Sequence, residues 1–162
     1  MKKFELTSET KINIFGKKLF RIKALISFAD VEAGETGGWV EKEGNVNQSG
    51  DAWVYGNAEV SGDAWVSGDA WVYGNAKVSG NAKVYGNAEV SGNADYTTIH
   101  GFGTQFRTTT FFRCKDKKVR VACGCFFGTI PEFREQVKNT RKGKIAEEYL
   151  MIADLMENHF EK

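Results

Sequence analysis

Small and apolar residues recur every six positions through the middle of the chain. From Gly50 to Thr97 the sequence is eight consecutive hexads with the frame Gly-(Asn/Asp)-Ala-x-Val-(Ser/Tyr/Thr), and a weaker form of the frame begins upstream at Gly38. Ala and Val stand two positions apart, so both point to one side of an extended segment. Each Gly-Asn or Gly-Asp pair lets the chain turn sharply at low steric cost. The pattern predicts short strands that stack on one another.

Three hexads make a coil of 18 residues, and this period predicts which side chains lie above one another. Valines fill the interior, while one outer face carries an alternating-charge ladder of Glu59, Lys77 and Asp95. Another outer face carries four large aromatic side chains: Trp53, Tyr55, Trp71 and Tyr73. An apolar patch of that kind is usually covered or used. Either a terminal segment or a second copy of this chain covers it, or a ligand or foreign protein binds there.

The segments on either side of the repeat have different patterns. Residues 11–28 predict two short strands around Gly16, a hairpin that caps the first coil. Residues 104–113 and 118–127 predict a β-hairpin, and a Thr129/Glu132 capping box predicts a helix. A second amphipathic helix is predicted from Lys144 to His159. The C-terminal part is therefore expected to be a ββαα unit.

The hexads resemble those of bacterial hexapeptide-repeat proteins, which form a left-handed parallel β-helix and include many acyltransferases. The resemblance implies the handedness of the coils. Residues 16–60, with GKKLFRIKAL followed by VEAGETGGWVEKEGNV, are similar to a subgroup found in bacterial and prophage genomes. The expected fold is a mainly β chain with a left-handed parallel β-helix of about three coils. Residues 1–36 would cap it, 37–98 would form the coils, and 99–162 the C-terminal unit.

Basic residues in the C-terminal part suggest an anion site. Arg107, Thr109 and Arg113 share one face of a predicted strand, and guanidinium groups beside hydroxyls suit a phosphate. The alternative is a solvated basic edge. Three cysteines, Cys114, Cys123 and Cys125, have the spacing C-x8-C-x-C with no fourth ligand nearby. We therefore expect buried thiols, no metal and no cofactor.

Charge and composition narrow the classes of partner. The net charge of +1 gives no bulk attraction to nucleic acid, and no apolar stretch is long enough for a membrane span. The start of the chain lacks the apolar segment of a signal peptide, and the odd cysteine count suits a reducing compartment. We expect a cytoplasmic homo-oligomer, a trimer or dimer.

Two functions compete. The first is a non-enzymatic binding protein; its prophage-like resemblance implies action on a host protein or sequestration of a small signalling nucleotide, an anionic ligand. The second is an acyltransferase with His100 as general base. The hexads contain no His and no inserted loop, and the chain has two His in total. These counts favour the binding protein and argue against a zinc enzyme resembling γ-class carbonic anhydrases, which needs three His ligands.

Overall fold

Three longer strands open the chain in a computed structural model that describes residues 2–161. They are β1 (Phe4–Ile12), β2 (Lys18–Ala24) and β3 (Thr36–Val40). The predicted hairpin is present: β1 and β2 pair antiparallel, with Ile12 opposite Lys18. Its turn contains Gly16 with φ of 80°, a left-handed conformation that glycine adopts without steric cost. The Asn13 side chain holds the turn by accepting from the Phe15 and Lys17 amides, both at 2.9 Å.

Seven strands of two residues follow, and each consists of the x-Val pair of one hexad. They are β4 (Trp53–Val54), β5 (Glu59–Val60), β6 (Trp65–Val66), β7 (Trp71–Val72), β8 (Lys77–Val78), β9 (Lys83–Val84) and β10 (Glu89–Val90). Every valine in these strands is 0% exposed, and the hexad alanines lie beside them in the same core. The Ala-x-Val pattern thus supplies an interior that is apolar along the whole repeat.

The predicted 18-residue register between repeat strands is confirmed. Trp53 pairs in parallel with Trp71 and Trp71 with Glu89, while Glu59 pairs with Lys77. The Trp53 amide donates to the Ala70 carbonyl at 3.0 Å, as such pairing requires. Upstream of the repeat the register differs: Trp39 of β3 pairs with Glu59, which lies 20 residues later rather than 18. The last hexad also departs from the prediction, since a 3₁₀ turn at Asn93–Asp95 ends the pattern.

The predicted left-handed parallel β-helix of about three coils is wrong as the fold class. The strands divide into four separate sheets rather than one parallel stack. The first is mixed, in the order β1-β2-β3-β5-β8, so the hairpin extends a sheet edge instead of forming a separate cap. Two further sheets, β10-β7-β4 and β6-β9, are small and parallel. The hexad period predicts which repeat strands pair with one another. It does not predict the antiparallel strands that join them, because those strands come from sequence outside the repeat.

The fourth sheet is antiparallel and lies in the C-terminal part. Its strands, in sheet order, are β11 (Tyr96–Phe102), β12 (Arg107–Arg113), β13 (Val119–Cys123) and β14 (Phe126–Thr129). Two helices follow, α1 (Ile130–Thr140) and α2 (Gly143–Phe160). The predicted ββαα unit is therefore wrong in its strand count. The predicted strand 118–127 is broken by a turn at Gly124, and β11 continues directly from the repeat.

The predicted capping box at the start of α1 is confirmed. The Thr129 hydroxyl accepts from the Glu132 amide at 3.3 Å, and Glu132 Oε1 accepts from the Thr129 amide at 2.9 Å. Together they satisfy two amide groups that a helix start would leave without partners.

The C-terminal sheet lies between two hydrophobic cores. Phe112 and Ala122 pack with the valines and alanines of the repeat. Their neighbours Phe111 and Val121 point the other way and pack with α1 and α2 around Phe133. Alternation along β12 and β13 therefore joins the repeat to the helices. Among the helices within residues 2–161, none is both long and apolar enough to cross a membrane.

Candidate functional site

Arg107, one of the predicted anion-binding residues, is held at the start of β12. It follows Phe106, whose φ of 51° is unusual for a residue with a side chain. The Arg107 guanidinium lies directly against Gly124, where any Cβ would collide with it, and Gly124 has φ of 59°. The same guanidinium donates from Nη2 to Gln105 Oε1. Gly124 thus serves both the turn between β13 and β14 and the close approach of a cation.

A second arginine reaches the same place from the end of α1. Arg141 is the C-cap residue of that helix, and its amide donates to the Val137 carbonyl at 2.8 Å. A cation is favourable at this helix end, where the partial charge of the backbone is negative. Arg107 and Arg141 both line a cavity of about 210 Å³ between the β13–β14 turn and the two helices. We call it the basic cavity.

Its walls combine hydrogen-bonding groups with aromatic rings. The polar residues besides the arginines are Cys123, Cys125, Gln136, Thr140 and Tyr149, and the rings are those of Phe126, Phe133 and Tyr149. Tyr149 is 3% exposed. Burial raises the pKa of its hydroxyl and the neighbouring Cys123 adds to the rise, while Arg141 and Arg107 oppose it. The hydroxyl therefore keeps its proton at neutral pH.

The two cavity arginines differ from three others in the same part of the chain. Arg113 pairs with Asp95 at 3.2 Å, Arg120 with Asp116 at 2.7 Å and Arg134 with Asp154 at 2.7 Å. Neither Arg107 nor Arg141 forms an ion pair with any residue in 2–161, and no described residue lining the basic cavity carries a carboxylate. The basic cavity thus has two cationic groups to which no residue in 2–161 supplies a counter-charge.

The structure separates the members of the predicted cradle. Arg113 lies at the opposite end of β12 from Arg107, beside Asp95 and over the Phe160 ring at 5.5 Å. Thr109 is buried and donates its hydroxyl to Cys123 Sγ at 3.2 Å. Of these three predicted residues, only Arg107 lines the basic cavity. Thr109 contacts Cys123, which lines it. Sequence reasoning missed Arg141, Gln136 and Tyr149, which tertiary packing alone brings there.

His100 occupies an exposed position on β11. Its Nδ1 lies 3.0 Å from the Thr108 hydroxyl, and it borders an open depression with Lys83, Asp63 and Arg107. No described carboxylate forms a hydrogen bond with the imidazole. A general base is normally oriented by a third group, which the hydroxyl of Thr108 would have to provide here. The role of His100 as a base stays a prediction.

The predicted aromatic face is partly covered by both ends of the chain. Trp53 is 1% exposed and packs against the Phe28 ring at 5.2 Å, so the N-terminal part of the chain covers this ring. Lys115 of the C-terminal part places its Nζ 4.0 Å from the centre of the Trp71 ring. Tyr55 and Tyr73 stack at 4.9 Å with an interplanar angle of 5°, as the 18-residue period requires.

The three cysteines have different environments. Cys114 is buried, and that burial raises the pKa of its thiol to about 12. Cys125 is exposed because it lies in the β13–β14 turn, so the prediction that it is buried is wrong. Within residues 2–161 no group of three His, Cys, Asp or Glu side chains is placed to hold a metal ion.

No family model matches this chain, and no curated protein matches it either. The geometry of these sites is what indicates a function.

Proposed function

We propose that this protein is a non-enzymatic binding protein that holds a small anionic ligand in the basic cavity. The observation that carries the proposal is the convergence of Arg107 and Arg141, both without an ion pair to a described residue, on a cavity that no described carboxylate lines. Guanidinium groups bring planar sets of donors that match phosphate and carboxylate oxygens. A bound anion would supply the counter-charge that the described residues do not.

The lining also narrows the class of ligand. Gln136, Thr140 and the protonated Tyr149 hydroxyl add donors, and Phe126 and Phe133 add apolar rings. At about 210 Å³ the cavity is smaller than most sites for whole drug-sized ligands. It suits a phosphoryl group with part of an aromatic body. We therefore favour the phosphate end of a nucleotide, in line with the predicted sequestration of a nucleotide signal.

Isothermal titration with adenosine 5′-monophosphate, inorganic phosphate and neutral adenosine tests the proposal. We expect the monophosphate to bind more tightly than adenosine, because the arginines contact the phosphate. Arg141→Gln should weaken monophosphate binding by about tenfold or more, as loss of a hydrogen bond to a charged group does. Arg134→Gln is the matched control, since Arg134 lies on α1 and pairs with Asp154 and Glu157 outside the cavity.

Two outcomes would refute the proposal: absence of binding for both phosphate compounds, or equal losses in the two arginine variants. His100→Ala separates it from the acyltransferase alternative. His100 does not line the basic cavity, so this variant should leave monophosphate affinity unchanged. Action on a host protein, the homo-oligomer and the cytoplasmic location stay predictions.

A further inference from the structure

A second cavity lies on the aromatic side of the repeat and has the opposite charge. Its volume is about 290 Å³. The lining residues are Asp30, Val31, Glu35, Trp53, Tyr55 and Trp71. The loop between β2 and β3 provides the first three, and hexads of the repeat provide the aromatic rings. We call it the aromatic pocket.

The rings of the aromatic pocket are fixed by neighbours. Trp53 is held edge-on by Phe28 at 5.2 Å and by Phe4 at 6.1 Å. Tyr55 meets Trp71 edge-on at 6.4 Å and stacks on Tyr73. Fixed rings lose little conformational entropy when a ligand binds, so the aromatic pocket is preorganised.

The charges of the aromatic pocket favour a cation. Asp30 and Glu35 form no ion pair with a residue in 2–161, and the described lining contains no Lys or Arg. The faces of Trp and Tyr rings attract cations electrostatically. Trp71 already accepts one, because Lys115 Nζ lies 4.0 Å from its ring centre. Lys115 does not line the aromatic pocket, and its Nζ donates to the Asp69 carbonyl at 3.0 Å.

We propose that the aromatic pocket binds a small organic cation with a quaternary ammonium head. Trp71 and Tyr55 contact the methyl groups of the head through cation–π attraction. Asp30 and Glu35 provide the negative charge. A quaternary head has no N–H groups, so carboxylates at a distance and aromatic rings are enough to hold it.

Choline and its neutral isostere 3,3-dimethylbutan-1-ol test this proposal. The chain has four Trp, so a ¹H–¹⁵N spectrum shows four indole signals that single Trp→Phe variants assign. We expect choline to shift the Trp53 and Trp71 signals saturably, with Trp65 unaffected because it lies outside the pocket. The isostere should bind at least about tenfold more weakly, since it lacks the charge.

A double variant, Asp30→Asn with Glu35→Gln, should weaken choline binding by about tenfold. Glu32→Gln is the matched control, because Glu32 is an exposed carboxylate of the same loop outside the lining. The proposal is overturned if choline leaves both indole signals in place, or if choline and the isostere bind equally. Equal effects of the double variant and Glu32→Gln would also overturn it. These results are independent of Arg141, so they and the anion test can fail separately.

Discussion

The repeat and the C-terminal part build their cores by different means. In the repeat, each valine meets another valine 18 residues away in a parallel pair, as Val54 meets Val72. In the C-terminal part, Phe111 meets Phe133 of α1 in an edge-on pair at 6.1 Å, with no period to predict it. Local repetition thus determines the first core, whereas tertiary packing determines the second. The arginines of the basic cavity lie in the C-terminal part. The aromatic rings of the aromatic pocket lie in the repeat.

Replacing either of two phenylalanines that face opposite cores should reduce stability more than any other change considered below. Phe112→Ala empties space in the core shared with the repeat, and Phe111→Ala empties space beside the helices. Each should lower the free energy of unfolding by about 3–5 kcal/mol. Urea unfolding followed by two probes compares the regions: tryptophan fluorescence reports Trp39, Trp53, Trp65 and Trp71, and circular dichroism at about 222 nm reports the helices, whose amide absorption lies there.

We expect both probes to shift together in each variant, because the C-terminal sheet has one face in each core. Phe111→Leu serves as the control that keeps most of the apolar volume. A Phe111→Ala protein in which only the dichroism midpoint moves would show that the two regions unfold separately.

Two glycines of the repeat offer a smaller and more local test. Gly74 and Gly80 have φ of 64° and 67°, so alanine at either is strained. A Cβ at Gly74 would also collide with the Ser91 carbonyl oxygen, whereas at Gly80 nothing lies within 4 Å. Gly74→Ala should cost about 2–3 kcal/mol and Gly80→Ala about 1 kcal/mol, measured by urea unfolding. Equal costs would mean that the turn at Gly74 is not packed against the chain at Ser91, 17 residues later.

The contrast between regions explains which parts of the fold could be predicted. The Trp53–Trp71 register follows from counting six-residue units, since a period is a local property of the sequence. The pairing of Tyr96 with Phe112 does not, because the chain leaves the pattern at a 3₁₀ turn while the sequence still reads GNADYT. Tyr96 occupies the valine position of its hexad, but its hydroxyl donates to the Lys77 carbonyl and its strand pairs antiparallel with β12.

The same limit applies to the sites. Arg107 was predicted because it shares one face of a strand with Thr109 and Arg113, and it lines the basic cavity. Arg141 stands in a polar run that indicates only a helix end, and its meeting with Arg107 depends on how α1 packs on the sheet. The aromatic side chains were predicted as one face, but the loop that covers Trp53 with Phe28 and adds Asp30 has no hexad pattern. A site made by two distant segments leaves no local signal.

Loss of the N-cap of α1 should reduce stability less than the Gly74→Ala substitution does. Thr129→Ala removes the hydroxyl that accepts from the Glu132 amide, and such losses cost about 1 kcal/mol. Thr129→Ser keeps the hydroxyl and should cost clearly less. The measurement is the urea midpoint by circular dichroism. A Ser variant as unstable as the Ala variant would show that the methyl group of Thr129, rather than its hydrogen bond, stabilises the helix start.

The contact between Asp95 and Arg113 should give the smallest effect, and it joins the two regions directly. Burial opposes ionisation of Asp95, but hydrogen bonds from Ser91 and the Arg113 guanidinium outweigh it, so the pKa of Asp95 lies below its usual value of 3.8. A lowered folded-state pKa stabilises the protein above the unfolded-state pKa. This stability is lost as the pH falls through 3.8 and then through the lower folded-state pKa.

Asp95→Asn should therefore lower the free energy of unfolding at pH 7 by about 1 kcal/mol or less, because one pair at a partly exposed position contributes little. The difference between the variant and the unchanged protein should shrink as the pH falls below about 4, where the carboxyl of Asp95 takes up a proton in the unfolded chain. Urea unfolding at a series of pH values measures this difference. A difference that stays constant down to pH values near 2 would mean that Asp95 acts through the shape of its hydrogen bonds rather than its charge. The charge of Asp95 would then add nothing to the junction between the end of the repeat and the C-terminal sheet.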